Sequence, residues 1–226
     1  MRYPYLLFDA DNTLFDFDRS NRAAFNAVCA AFSLPDDDET FALYERCNNA
    51  MWAAFDRGEC TKDFLVVQRF RNFFAALGVD RDPAACNELH LHTLGRQSFL
   101  LPHAEEVCRE LSRSHKLYLV TNAVASVQRS RLARSAVRPY ITDAFISKEA
   151  GAAKPAPAYF DYVFACIDGI TKENCIVIGD SLSSDIRGAN NYGLPCCWYD
   201  PKNSPAPADL RIDYRITDLR QLYQIV

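Results

Sequence analysis

Short runs of consecutive apolar residues recur along the chain and give the first indication of its architecture. The runs occupy residues 5–8, 117–120, 144–146, 175–178 and 196–199, with a weaker one at 214–216. From residue 117 onward they alternate with helical patterns at 124–136, 155–167 and 184–192. Strands that are apolar on both faces are typical of parallel sheets covered by helices on each side. The pattern therefore predicts an α/β fold with a parallel sheet.

The segment from residue 17 to residue 95 has helical periodicity and no convincing strand. Thr61 and Asp82 precede two expected helix starts, and Gly78 follows an expected helix end. We predict a Rossmann-like catalytic core, residues 1–16 and 96–226, as a three-layer α/β/α sandwich. Residues 17–95 are predicted to form a helical domain inserted into it.

Charge and cysteine content narrow the class of protein. The formal net charge is −4 and no block of Lys or Arg occurs, so a nucleic acid polymer and an anionic membrane surface are poor candidates as partners. The nine cysteines are scattered and contain no C-x-x-C pair. No stretch of 18 apolar residues exists, and the apolar run at 5–8 is too short for a signal peptide. We expect a cytoplasmic protein.

Polar residues follow the predicted strands at the points where the strands end. Asp9 and Asp11 follow the first strand, Thr121-Asn122 the second, and Asp180 and Asp185 a later one, while Lys154 lies in a loop. The carboxyl ends of parallel strands share one crevice, so these side chains are expected to meet there.

Four carboxylates near one lysine cannot all stay ionised without a further cation, and Mg²⁺ is the hard cation that suits such ligands. The Thr121 hydroxyl and nearby backbone N–H groups supply donors for phosphate oxygens. Each motif alone also fits an ordinary turn or helix cap, but their joint occurrence in order indicates a phosphoryl-transfer site.

The ordered set D-x-D-x-T-L, T-N, K-P and G-D-x-x-x-x-D resembles the four motifs of the haloacid dehalogenase (HAD) superfamily, and the helical insert resembles its C1 cap. Longer segments such as F-D-A-D-N-T-L-F-D-F-D resemble the YjjG-type pyrimidine 5′-nucleotidases. One departure is Ala123, where that subfamily more often has Gly. The resemblance implies a Mg²⁺-dependent phosphomonoesterase that hydrolyses nucleoside 5′-monophosphates, with pyrimidines favoured, through an aspartyl-phosphate intermediate.

The resemblance also implies a role for each motif residue. Asp9 is the expected nucleophile, and Asp11 the expected general acid and then general base. Thr121 is expected to hold the phosphoryl group, and Lys154 to neutralise it and orient Asp9. The implied metal ligands are Asp9, Asp11 through its carbonyl, Asp180 and, directly or through water, Asp185.

Further residues are candidates for contact with the substrate, a small phosphate monoester. They are Asn122, Asn48, Trp52, Phe15, Phe17 and Arg69. For the aromatic and cap residues, a place in the core is the more common explanation of the same spacing. His90 and His92 have no evident partners and are interpreted as structural. The chain is expected to be a monomer or homodimer.

Two other classes of function remain open. A phosphatase or phosphomutase that acts on sugar phosphates or phosphoglycolate has the same core motifs and differs in its cap. A non-enzymatic phospho-receiver also gathers Asp, Thr and Lys at strand ends, but its phosphorylated Asp lies mid-sheet and it has no cap. A haloacid dehalogenase is disfavoured, because it needs neither Mg²⁺ nor a proton donor at position 11.

Overall fold

The computed structural model describes residues 2–226. The chain divides into two compact units. One comprises the residues up to Phe17 together with Ser98–Val226, and the other comprises Asp18–Gln97.

The first unit is built on a six-stranded sheet. Its strands are β1 (Tyr5–Phe8), β2 (Lys116–Thr121), β3 (Ile141–Ile146), β4 (Cys175–Gly179), β5 (Cys196–Tyr199) and β6 (Tyr214–Ile216). The order is β3-β2-β1-β4-β5-β6, and every neighbouring pair is parallel, as predicted. Because β1 lies between β2 and β4, the loops that follow these three strands leave the same edge at the centre of the sheet.

Helices cover both faces of this sheet. They are α5 (Ala104–Leu111), α6 (Ala125–Arg134), α7 (Ser147–Ala150), α8 (Pro157–Cys166) and α9 (Arg187–Tyr192). The predicted helix at 184–192 is in fact a π-helical turn, Leu182–Ile186, that continues into α9. No helix within residues 2–226 combines the length and apolar character needed to cross a bilayer.

Side-chain alternation along the strands separates two hydrophobic cores. In β1, Leu6 and Phe8 pack with α5 on one face, while Leu7 packs with α8 and α9 on the other. The adjacent Cys197 and Cys196 of β5 divide in the same way, as packing residues of opposite cores. This alternation is the consequence of the two-residue period of a strand.

The second unit consists of helices that begin with α1 (Phe17–Phe32), whose first residue belongs to the sheet unit, and continue with α2 (Asp38–Asp56), α3 (Lys62–Leu77) and α4 (Pro83–Gly95). The predicted caps are present. The Thr61 hydroxyl accepts from the Phe64 N–H at 3.3 Å, and an Asp82 carboxylate oxygen accepts from Ala84 N–H at 2.8 Å. Gly78 ends α3 with a φ of 73°, a conformation that glycine adopts without strain.

A buried polar network lies in the interior of the helical unit, around Arg69. Arg69 donates to Asn48 Oδ1 at 2.8 Å, to Asn87 Oδ1 at 3.2 Å and to His90 Nδ1 at 3.2 Å. His90 Nε2 lies 3.1 Å from Asn21 Oδ1 and from the Tyr44 hydroxyl. Burial, reinforced by the Arg69 charge, lowers the pKa of His90 well below its usual value. His90 therefore has several partners, and the prediction that it had none was wrong.

Candidate active site

The loop after β1 places two aspartates on one tight turn. The Asp9 N–H donates to Ile178 O at 2.8 Å, which continues the pairing with β4. The turn closes when the N–H groups of Leu14 and Phe15 both donate to Ala10 O, at 3.0 and 2.9 Å. Asn12 has a positive φ of 57° there, a conformation that Asn tolerates better than most residues.

Lys154 is the charged centre of the site. Its ammonium donates to Asp9 Oδ1 at 2.7 Å, to Asp185 Oδ1 at 2.6 Å and to Val120 O at 2.6 Å. The Lys154 side chain is 1% exposed and that of Asp185 is fully buried. The lysine thus joins the loop after β1, the backbone at the end of β2 and the segment after β4 through one buried cation.

Two further aspartates stand on the loop after β4. Asp180 is held by the Thr13 hydroxyl, which donates to its Oδ1 at 3.3 Å, and by the Trp198 indole N–H, which donates to its backbone carbonyl at 2.9 Å. Asp185 Oδ2 accepts from Ser181 N–H at 3.1 Å. Sequence patterns did not identify Thr13 or Trp198 as supports, because each hydrogen bond joins distant parts of the chain.

Gly179 at the end of β4 allows Asp185 to approach the strand. A Cβ at position 179 would lie 2.3 Å from Asp185 Oδ2. No real Cβ contact is that short, so any larger residue would displace the carboxylate. The glycine before Asp180 therefore has a packing reason that is specific to this site.

The pKa values of the clustered side chains depend on two opposing effects, burial and the charge of Lys154. Burial raises the pKa of Asp9 well above its usual range, against the opposite effect of Lys154. Burial and the neighbouring Asp185 raise the pKa of Asp180 to about 7. For Lys154, burial favours the neutral amine, but attraction to Asp185 and Asp9 outweighs it and the pKa rises. When ionised, the three clustered carboxylates carry more negative charge than one lysine neutralises.

The arrangement fits a hard divalent cation. One carboxylate oxygen from each of Asp9, Asp180 and Asp185 lies within 4.8 Å of the others. Carboxylate oxygens are ligands that Mg²⁺ prefers, and it commonly retains several waters beside them. A cation held there would also relieve the repulsion that raises the pKa of Asp180.

The Asp11 side chain lies apart from the other three carboxylates, in keeping with an implied metal contact through its carbonyl alone. Its carboxylate Oδ1 accepts from Arg131 Nη1 of α6, and it does not share the oxygen cluster of the other three aspartates. The idea that four carboxylates face one lysine is therefore wrong: Arg131 is a second cation that sequence reasoning missed. A signal existed, since Arg131 and Gln128 fall on the buried stripe of α6 with Val127 and Leu132.

Thr121 and Asn122 end β2 at the site. Thr121 is buried, and its hydroxyl accepts from Ala123 N–H at 3.1 Å. The Asn122 amide donates to Lys154 O at 2.8 Å and accepts from Lys154 N–H at 3.0 Å. This reciprocal pair fixes the loop that carries Lys154, and contact of Asn122 with the substrate stays a prediction.

The other predicted substrate contacts fall into two groups. Phe15 is fully buried in the core with α5, and Asn48 and Arg69 are buried and hydrogen-bonded to each other. In the structure these three side chains are packed in the interior of their units, and their contact with substrate stays a prediction. Phe17 and Trp52 are partly exposed and remain predicted contacts.

Comparison with known proteins agrees with this geometry. The haloacid dehalogenase-like hydrolase family model matches residues 3–193. The chain belongs to that family of hydrolases.

Full-length relatives are also similar. The HAD-hydrolase YfnB of Bacillus subtilis is 33% identical over 225 residues, covering 100% of this chain and 96% of that protein. A crystal structure of YfnB bound to magnesium superposes with a TM-score of 0.95 and covers 100% of this chain and 99% of that one.

The pyrimidine 5′-nucleotidase PynA of Streptococcus pneumoniae is 30% identical over 223 residues, covering 98% of this chain and 94% of PynA. The pyrimidine 5′-nucleotidase YjjG of Escherichia coli is 28% identical over 226 residues, covering 100% of this chain and 99% of YjjG.

Proposed function

We propose that this hydrolase is a Mg²⁺-dependent phosphomonoesterase that acts on nucleoside 5′-monophosphates, with pyrimidines preferred, through an aspartyl-phosphate. The observation that carries the proposal is the buried Lys154, which joins Asp9 and Asp185 beside Asp180. Phosphoryl transfer requires acids for a metal, a cation for the phosphoryl group and a second aspartate outside the metal ligands, and this site has each of them.

The proposed first step is attack by an Asp9 carboxylate oxygen on the phosphorus of the ester. The bond to the leaving oxygen breaks, and Asp11 protonates that oxygen as it departs. Lys154 holds Asp9 in place by the 2.7 Å hydrogen bond and offsets the phosphoryl charge. The Thr121 hydroxyl, at the end of β2, is proposed to hold a phosphoryl oxygen.

In the proposed second step, Asp11 removes a proton from a water molecule that attacks the aspartyl-phosphate, which regenerates Asp9 and releases phosphate. A Mg²⁺ ion held by Asp9, Asp180, Asp185 and the Asp11 carbonyl would supply positive charge for the phosphoryl oxygens. Hydrolysis of a phosphate monoester is very slow in water, and the covalent intermediate divides it into two steps with lower barriers.

The preference for pyrimidine nucleotides is supported by the similarity to PynA and YjjG over nearly the whole chain. Trp52 is the aromatic residue of the helical unit that we propose for stacking on the base. Stacking of a base on an aromatic ring contributes about 1–3 kcal/mol, or roughly five- to 150-fold in affinity. Preference for pyrimidine over purine must come from steric fit, because stacking favours both.

The substrate is tested with a panel of phosphate monoesters in the presence of Mg²⁺. We expect UMP, dUMP or dTMP to have a higher kcat/KM than AMP, GMP, phosphoglycolate and hexose phosphates. Trp52→Ala should lower kcat/KM for UMP and leave p-nitrophenyl phosphate nearly unchanged. A hexose phosphate or phosphoglycolate as the best substrate would refute the nucleotidase and leave the general phosphatase.

A sugar-phosphate phosphatase is the second candidate. A ribulose-1,5-bisphosphate 5-phosphatase of Halopiger xanaduensis is 25% identical over 235 residues and matches 98% of this chain. The panel decides between the two, since both use the same core residues. We also propose a cytoplasmic location, in keeping with nine cysteines that are all free in the structure.

A further inference from the structure

Arg131, on α6, is a second fully buried cation of the sheet unit, besides Lys154. Its side chain is 0% exposed, whereas that of its partner Asp11 is 26% exposed. Its guanidinium carbon lies 4.8 Å from the centre of the Phe15 ring, and Nη1 also donates to Gln128 Oε1 at 3.4 Å. The guanidinium is therefore held by a ring, an amide and a carboxylate together.

The two buried cations divide the aspartates between them. Lys154 forms ion pairs with Asp9 and Asp185, and Arg131 forms an ion pair with Asp11. An aspartate beside the turn of Asn12 has two side-chain torsions to fix. A planar guanidinium held in place by neighbouring groups directs a carboxylate more strictly than a flexible ammonium does. The Asp11 side chain stays partly exposed to solvent beside this buried arginine.

We propose that Arg131 is a positioning residue that fixes the Asp11 carboxylate at the leaving-group oxygen and away from the Asp9–Lys154 cluster. This inference rests on the proposed function, because the positioning matters only if Asp11 transfers protons during phosphoryl transfer. Proton transfer depends on reach, and a displacement of 1 Å can cost about 100-fold in rate. Arg131 acts through Asp11 and not on the substrate.

The test compares Arg131→Met, Arg131→Lys, Asp11→Asn and the double variant Arg131→Met/Asp11→Asn with the wild type. Two substrates are used, a nucleotide with an alkoxide leaving group and p-nitrophenyl phosphate, whose leaving group needs little protonation. The readout is kcat/KM, which includes departure of the leaving group and excludes hydrolysis of the phosphoenzyme. Circular dichroism reports on folding, and Mg²⁺-dependent thermal shifts report on the Asp9–Asp180–Asp185 cluster.

Arg131→Met should lower kcat/KM for the nucleotide by about 10–100-fold, and for p-nitrophenyl phosphate by less than about threefold, since general acid catalysis contributes about 10²–10⁴. Arg131→Lys should recover part of the loss. In the Asp11→Asn background, Arg131→Met should have almost no further effect, because the two residues act as a unit.

Equal losses with both substrates, or losses that add fully in the double variant, would overturn the inference. If Arg131→Met does not fold, the same comparison is made with Arg131→Lys, where an unchanged ratio between the two substrates overturns it. A wild type that hydrolyses no phosphate monoester contradicts the proposed function instead, and that outcome is visible before any variant is made.

Discussion

Removal of the Lys154 ammonium is the perturbation whose effect can be worked most fully from the structure. Lys154→Met keeps most of the side-chain volume and deletes three hydrogen bonds of 2.6–2.7 Å, two of them to carboxylates. Asp9 and Asp185 are then left buried without their cation. Breaking a buried ion pair from one side costs about 3–5 kcal/mol.

Protonation of Asp9 limits this loss, because burial already raises its pKa well above the usual range. For a domain of this size, 1 kcal/mol corresponds to about 2–4 °C in Tm, so we expect Tm to fall by about 6–20 °C. Mg²⁺ should raise the Tm of the variant at least as much as that of the wild type, since Asp9 and Asp185 then lack their internal counter-ion. Turnover should fall by about 100-fold or more, because Lys154 orients Asp9.

The assay is differential scanning fluorimetry with and without Mg²⁺, combined with phosphate release. Lys202→Met is the matched control, since Lys202 is exposed in a turn and should give an unchanged Tm and rate. A Tm within about 2 °C of wild type, equivalent to less than about 1 kcal/mol, would refute the view that Lys154 neutralises the cluster. Turnover within tenfold of wild type would refute its proposed role in orienting Asp9.

Three other perturbations follow from the same structure. Asp9→Asn should abolish turnover and leave the circular dichroism spectrum unchanged; activity within tenfold of wild type contradicts a nucleophilic role. Chelation of the metal with EDTA should abolish activity, and added Mg²⁺ should restore that activity. Full activity in EDTA would contradict the metal site. Because His90 is buried as the neutral ring, its pKa is lower in the folded than in the unfolded chain. Its contribution to stability is therefore complete above about pH 6.5 and lost as the pH falls below it, by up to about 1.4 kcal/mol per pH unit. Urea unfolding at several pH values should show that the free energy of unfolding of His90→Gln depends less on pH below about 6.5 than that of the wild type. The same pH dependence in both proteins would contradict this account.

Elements that are buried on both faces were predictable from the sequence. The runs at β1, β4 and β5 are apolar throughout because helices cover both sides of the sheet, so their pattern needs no tertiary information. The sequence does not predict the short α5, because the helix has only eight residues. The residue before it, His103, has a positive φ and makes no side-chain cap hydrogen bond, so no cap motif marks the start of the helix. Short helices are stabilised by packing and not by local propensity.

The candidate site was predictable where a strand end fixes the residue, as for Asp9, Thr121 and Asp180. It was not predictable where a contact spans the fold, as for Arg131, which lies 120 residues from Asp11. Arg69 shows a different limit of the sequence. A polar residue among apolar ones fits a ligand contact and a satisfied interior network equally well, and only the partners distinguish them.

The proposed aspartyl-phosphate is the central claim, and trapping it tests that claim most directly. The wild type is mixed with its best substrate carrying radiolabelled phosphate and Mg²⁺, quenched in acid during turnover, and reduced with borohydride. We expect label on the protein and, after reduction, homoserine in place of aspartate at position 9 in the peptide that contains Asp9. Turnover with no labelled protein at any time point, or with the label on another residue, would contradict the account.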